Sequence, residues 1–141
     1  MNHLQKQSEN LKKNVAEIKS TIKNTDLLTS VDQQRFERVV YLFQSVIRSL
    51  VDIGNKIIVN NDFRNPLNTA DVFISLAENN VISSSIVPGL KKAALMMPKM
   101  RSYTPPELVD VMQQCIGDFN RCLNSFIEYF KRKNDGVGSC T

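Results

Sequence analysis

Four cations and a tyrosine occur together in one stretch of the chain. Between Glu78 and Glu107 there is no acidic residue, yet Lys91, Lys92, Lys99 and Arg101 all fall there. These four equal the whole excess of basic over acidic side chains, 18 against 14, in a chain of net charge +4. A local basic patch suits a phosphate-bearing partner such as RNA or a nucleotide. As a solvated helix face and loop, the same cations need no role. Tyr103 follows two residues after Arg101, and Ser102 and Thr104 flank it, so three hydroxyls stand beside the cations. A second polar group, Asp52 and Asn55 around Gly54, interrupts an otherwise apolar segment. It reads either as the wall of a functional cleft or as a close helix–helix approach at Gly54, where glycine costs about 1 kcal/mol relative to alanine.

The remaining composition removes most other chemistries. His3 is the single histidine, which argues against His-based metal sites, Ser-His-Asp triads and Cys-His dyads. No metal site and no cofactor are expected. The five glycines never fall into a phosphate-loop spacing. Cys115 and Cys122 are seven residues apart, about 10 Å along one helix, too far to bridge, and both fit its apolar stripe. No apolar run approaches the roughly 18 residues of a membrane span. Residues 1–14 lack the apolar core of a signal peptide. The expectation is a cytoplasmic protein with no membrane association.

The elements that must position these residues are helical. With 141 residues, 42% of them hydrophobic, the chain can bury one core, and few turn residues argue against a sandwich or barrel. Leu4, Leu11, Val15, Ile18 and Ile22 mark an amphipathic helix over about residues 4–25. Ser30 and Gln33 form a capping box for a central helix to about residue 59, apolar on more than one face. Thr69 caps a short helix with Val72, Phe73, Leu76 and Ala77 inward, ended by Asn79 and Asn80. Ser83 to Ser85 and Pro88 start a fourth helix containing Leu90, Ala93, Ala94, Leu95 and Met96, which Pro98 ends or bends. Thr104, Pro105, Pro106 and Glu107 combine a capping box with proline at the first helical position. The last helix runs to about residue 132, burying Leu108, Val111, Met112, Cys115, Phe119, Cys122, Phe126 and Phe130. The fold class is therefore all-α: a five-helix bundle of three long and two short helices, one domain over residues 1–133, followed by a flexible tail over 134–141.

Three segments, in this order and spacing, resemble a known family. Residues 51–58, Val-Asp-Ile-Gly-Asn-Lys-Ile-Ile, are similar to the second-helix signature of the HepT-like branch of the HEPN family. Residues 71–82 resemble its third helix and turn, and Gly89-Leu90-Lys91-Lys92 the start of its fourth. The likeness returns in the capped last helix. The resemblance implies a dimeric helical bundle, commonly a ribonuclease toxin encoded beside a minimal nucleotidyltransferase (MNT) antitoxin. It also implies a catalytic motif of Arg, about four to six residues, His, one residue and Tyr, in which the ribose 2′-OH attacks the adjacent phosphate, His handles protons and Arg stabilises phosphate charge. In several such pairs the antitoxin transfers AMP onto that tyrosine.

This chain departs from the motif. Aligning Tyr103 with the family tyrosine puts Arg101 where the histidine stands and Met96 where the first arginine stands. Arginine stays charged above pH 12 and offers no general base. The leading reading is a toxin-type component with a degenerate motif, neutralised by an MNT antitoxin that modifies Tyr103, with Thr104 or Ser102 as fallback acceptors. Lys91, Lys92, Lys99 and Arg101 would hold phosphates, and Asp52 and Asn55 would line the cleft. A second reading is a non-catalytic dimeric module that binds the nucleotidyltransferase. A third is an active ribonuclease with relocated groups, leaning on Lys99, Arg101 and Tyr103.

A central helix apolar on several faces needs more cover than one five-helix layer supplies. A homodimer with a two-fold interface of about 1,600 Å² or more is predicted. Light scattering at micromolar concentration is expected to report twice the 16.0 kDa chain mass, and the chain mass alone overturns it.

Overall fold

The computed structural model describes residues 3–23 and 33–139. Five helices carry the fold: α1 His3–Ile22, α2 Gln33–Asn60, α3 Asp71–Glu78, α4 Val87–Met96 and α5 Pro105–Ser139. Short 3₁₀ segments, Ser84–Ile86 and Met97–Ser102, precede and follow α4. No strand occurs among the described residues. The long helices α1, α2 and α5 pack together, with α1 lying along both others, while α3 and α4 close the remaining side against α2 and α5. The apolar stripes read from sequence meet at the centre. Leu11, Val15, Ile18 and Ile22 of α1 face Val39, Phe43, Val46, Leu50, Ile53 and Ile57 of α2 and Met112, Cys115, Phe119, Cys122 and Phe126 of α5 in one buried core. Phe43 and Phe119 rings sit 5.2 Å apart at its heart, within the range where tilted aromatic pairs attract.

Helix ends show where local chemistry decides. Asp62 and Asn80 adopt left-handed backbone, φ 55° and 60°. Each closes a Schellman motif: Phe63 N–H donates to Ile58 O at 3.0 Å after α2, and Val81 N–H to Leu76 O at 3.0 Å after α3. In both, the next residue is apolar and packs on the core, which fixes the exit direction. Asn80, rather than Asn79, is the left-handed terminator.

Three sequence expectations need correction. Thr69 does not cap α3; the Asn68 side-chain oxygen accepts the Asp71 N–H at 2.9 Å, because the cap residue Ala70 is already helical. The chain after α4 is a 3₁₀ turn rather than an irregular loop, since Pro98 is tolerated in its first turn. The last helix continues past residue 132 to Ser139. Ser30, the expected cap of α2, lies outside the described residues.

The connection from α2 to α3 is held by a charge cluster that the sequence did not announce. Arg64 donates to both Asp71 carboxylate oxygens, at 2.7 and 3.0 Å, and through Nε to Glu78 at 2.9 Å. Leu67 N–H adds a 2.8 Å bond to Asp71, and Ser75 Oγ donates to Arg64 O at 2.8 Å. The Arg64 guanidinium, helped by the Leu67 amide, holds the Asp71 carboxyl down at about 2. A depressed carboxylate stabilises the fold above its ordinary value of 3.8 and loses that contribution as pH falls through about 2. Asp71→Asn is therefore expected to lower the urea midpoint at neutral pH and flatten its fall between pH 3.8 and about 2; an unchanged acid limb refutes the coupling.

Gly54 is buried where α2 meets α3. A Cβ there would stand 2.8 Å from Val72 Cγ1 and 2.9 Å from Leu76 Cδ1, both in the core. The helix–helix approach is thus the reason for this glycine. Gly54→Val is expected to cost about 1–3 kcal/mol in urea unfolding through overpacking. Gly54→Ala should cost less, because about 1 kcal/mol of helix propensity is recovered.

Candidate functional site

The segment after α4 is aimed by its methionines. Met96 and Met100 are buried in the core, 5% and 2% exposed, and Met97 packs on its edge. With these anchors inward, Lys99 and Arg101 on either side of Met100 are turned out into solvent. Tyr103 N–H donates to Met100 O at 3.2 Å, closing the 3₁₀ turn, and Tyr103 itself is extended, φ −90° and ψ 144°. Thr104 then caps α5: its Oγ1 accepts the Glu107 N–H at 3.4 Å and its carbonyl the Leu108 N–H at 3.0 Å.

Two grooves meet at Tyr103. The first, about 510 Å³, is lined by Phe36, Val40, Tyr41 and Gln44 of α2, with Glu37, and by Met100, Arg101, Tyr103, Pro105 and Leu108 opposite. Tyr103 and Leu108 share this wall, as expected of the outer and inner halves of a hydrophobic staple. The second groove, about 430 Å³, lies on the other side of Tyr103, between α4 and α5. Lys91, Lys92 and Lys99 line it with Pro88, Leu95, Met96 and Val111, and no carboxylate does. Lys92 Nζ is engaged at 3.0 Å with Gln114 Oε1. Lys91 also contributes to the field that depresses Asp71.

The four sequence-predicted cations thus converge on Tyr103 but not on one surface. Arg101 faces the α2 groove, and the lysines face the α4–α5 groove. The three hydroxyls differ as well. Ser102 Oγ is turned back onto Lys99 O at 2.6 Å, and Thr104 Oγ1 is the helix cap, whereas Tyr103 is half-buried at the junction of both grooves. Asp52 and Asn55 line neither groove; Asp52 is exposed and pairs with Lys56 one turn on, at 3.1 Å.

Cysteine adds no nucleophile to this region. Cys115 and Cys122 are buried free thiols. Burial pushes the Cys115 thiol up to about 11 and that of Cys122 higher still, so neither is a thiolate near neutrality. Among the described residues no group of three His, Cys, Asp or Glu side chains is placed to hold a metal ion, and no helix is long and apolar enough to cross a membrane.

The α2 wall was not anticipated. In the sequence, Phe36, Glu37, Tyr41 and Gln44 stand only as part of the central helix. Tyr41 carried a signal that was available: it falls on the polar stripe of α2 with Gln34, Arg38, Arg48, Asp52 and Lys56, and it is 63% exposed.

No family model and no curated protein matches the chain by sequence. Solved structures match its shape over nearly the full length. A toxin–antitoxin solved with AMP-PNP is similar at 21% identity and TM-score 0.76, covering 89% of this chain and 97% of the other. The tri-AMPylated HEPN toxin of Shewanella oneidensis in complex with its MNT antitoxin is similar at 23% identity and TM-score 0.66, covering 89% and 97%. The cytosolic protein YutE of Bacillus subtilis, of unknown function, is similar at 16% identity and TM-score 0.68, covering 89% and 91%. The class is therefore an all-α bundle of the kind found in toxin–antitoxin pairs. Its particular fold is that of the HEPN toxins.

Proposed function

We propose that this chain is a HepT-like member of the HEPN family, the toxin-type half of a toxin–antitoxin pair, and that a nucleotidyltransferase partner transfers AMP to Tyr103. The observation that carries the reading is the position of Tyr103: half-buried, at the meeting of two grooves, with Arg101 on one side and three lysines on the other. The likeness in fold to a toxin solved with AMP attached supports it. In the transfer, the Tyr103 oxygen attacks the α-phosphorus of ATP and a new P–O bond forms. The bond to pyrophosphate breaks, pyrophosphate leaves with the electron pair, and the phenolic proton passes to a base on the partner. The product carries about one negative charge, which Arg101 and Lys99 stabilise by charge-assisted contacts.

The same site argues against ribonuclease chemistry by the family route. Attack by a ribose 2′-OH needs a group that accepts its proton, and loss of such a group usually removes a factor of about 100 to 10,000 in rate. Arg101 occupies that place, and an arginine side chain offers no general base. The second reading, a non-catalytic dimeric module that binds the nucleotidyltransferase, is supported by arginine standing in place of a proton acceptor. Both readings place the protein in the cytoplasm as a homodimer.

Mass spectrometry after incubation with the partner and ATP tests the acceptor. A gain of about 329 Da per AMP is expected on the peptide containing Arg101 to Glu107, and Tyr103→Phe is expected to abolish it. A gain that persists in Tyr103→Phe moves the acceptor to Ser102 or Thr104. No gain with an active partner rules out modification and leaves binding as the basis of the pair.

A further inference from the structure

The α2 groove has features that phosphate binding alone does not use. Phe36 and Tyr41 place two aromatic rings along one wall, and Tyr41 stays 63% exposed on the outward face of α2. Arg101 lines the opposite wall, exposed, and forms no ion pair among the described residues. The volume, about 510 Å³, lies within the ~300–1,000 Å³ of small-molecule sites. Glu37 and Gln44 are the other polar groups lining it. The Glu37 carboxylate accepts hydrogen bonds and repels phosphate, so an anionic ligand must keep its phosphate at the Arg101 and Tyr103 end. The α4–α5 groove offers lysines but no aromatic ring except Tyr103 itself.

We propose that the α2 groove is a nucleobase site: it receives the purine of the nucleotide carried on Tyr103, with Tyr41 as the stacking face and Arg101 on the phosphate. This rests on Tyr103 as the AMP acceptor and names where the attached nucleotide lies. Stacking on an exposed aromatic side chain is available to any base through its π-face. An adenine adds an exocyclic amine, a donor that matches the Glu37 carboxylate and the Gln44 carbonyl. Docked in this way, the modified tyrosine covers Arg101 and fills the groove beside α2 with its own nucleotide. The modification therefore blocks the site by occupation as well as by charge.

The test uses the full-length unmodified chain, which holds three tyrosines and no tryptophan, so that tyrosine ring signals in NMR report directly. AMP, adenosine and ribose 5-phosphate are titrated separately at millimolar concentration. AMP is expected to bind more tightly than either fragment and to shift the Tyr41 ring resonances. Tyr41→Ala should weaken AMP and adenosine by about 5- to 100-fold and leave ribose 5-phosphate unchanged. Tyr41→Phe should retain binding, and Arg101→Gln should bring AMP down to the level of adenosine. The proposal is overturned if AMP and ribose 5-phosphate bind alike, if none binds, or if Tyr41→Ala has no effect. It is also overturned if Tyr41→Ala leaves AMP binding intact but converts a dimer to a monomer in light scattering, which would make the groove an interface between copies. The mass gain on Tyr103 is read independently. A gain without Tyr41-dependent binding refutes the base site and keeps the acceptor; Tyr41-dependent binding without a gain refutes the acceptor.

Discussion

Burial of Met100 is the constraint on which the site depends. A 3₁₀ turn holds few hydrogen bonds of its own and stays in place only when its side chains are fixed. Here Met96 just before the turn and Met100 within it are sunk into the bundle, and Pro98 removes an N–H that would otherwise need a partner. Methionine suits the task because its unbranched, flexible chain fills an irregular gap where helices diverge. Once Met100 is inward, residues on either side of it have no choice. Lys99 and Arg101 point to water, Tyr103 emerges extended, and Thr104 is set to cap α5.

The bundle beneath that turn was legible from spacing. The inward residues of α5 expected from the 3.6-residue period are all buried, and so are those of α1 from Leu11 onward. Asn80 was readable as a left-handed terminator, because asparagine is one of the few residues that accept φ near 60°. Three things were not legible. Leu95 obeys helical spacing next to Ala94 and Met96, but the stripe on α4 is narrow, and only the packed structure shows that it falls outside. The Asn68 cap displaced Thr69 because the chain enters α3 one residue earlier than the cap preference implied. The Arg64, Asp71 and Glu78 cluster joins residues seven and fourteen apart across a turn, a geometry that no periodicity encodes.

The site itself was half readable. Its cations and hydroxyls lie within 14 residues of sequence, so their clustering is a fact of the chain and needs no fold. Their division is a fact of the fold. A tight 3₁₀ turn rotates successive residues by about a third of a circle, so Lys99, Arg101 and Tyr103 leave it in different directions. Arg101 meets α2, some 60 residues earlier in sequence, while Lys99 joins Lys91 and Lys92 beside α5. One basic segment therefore makes two surfaces of different character, an aromatic one with a single guanidinium and an ammonium-lined one. Asp52 and Asn55 follow the opposite course: beside a glycine that packs helices, they line neither groove, and Asp52 pairs outward with Lys56.

The distribution of charge also fixes what kind of chemistry this region supports. Arginine and lysine side chains as a class are cations near neutral pH, and burial pushes the two thiols well above it. Glu37, the one carboxylate on the α2 groove, is ordinarily an anion at that pH and accepts hydrogen bonds. Nothing lining the two grooves has an ordinary pKa near 7. A surface of that kind offers a phosphate ester charge-assisted contacts and hydrogen bonds. Tyr103 is then better suited to be acted upon than to act, since its proton must be taken by a group that this chain does not place beside it. On the proposed reading, binding falls to this chain and acid–base chemistry to its partner.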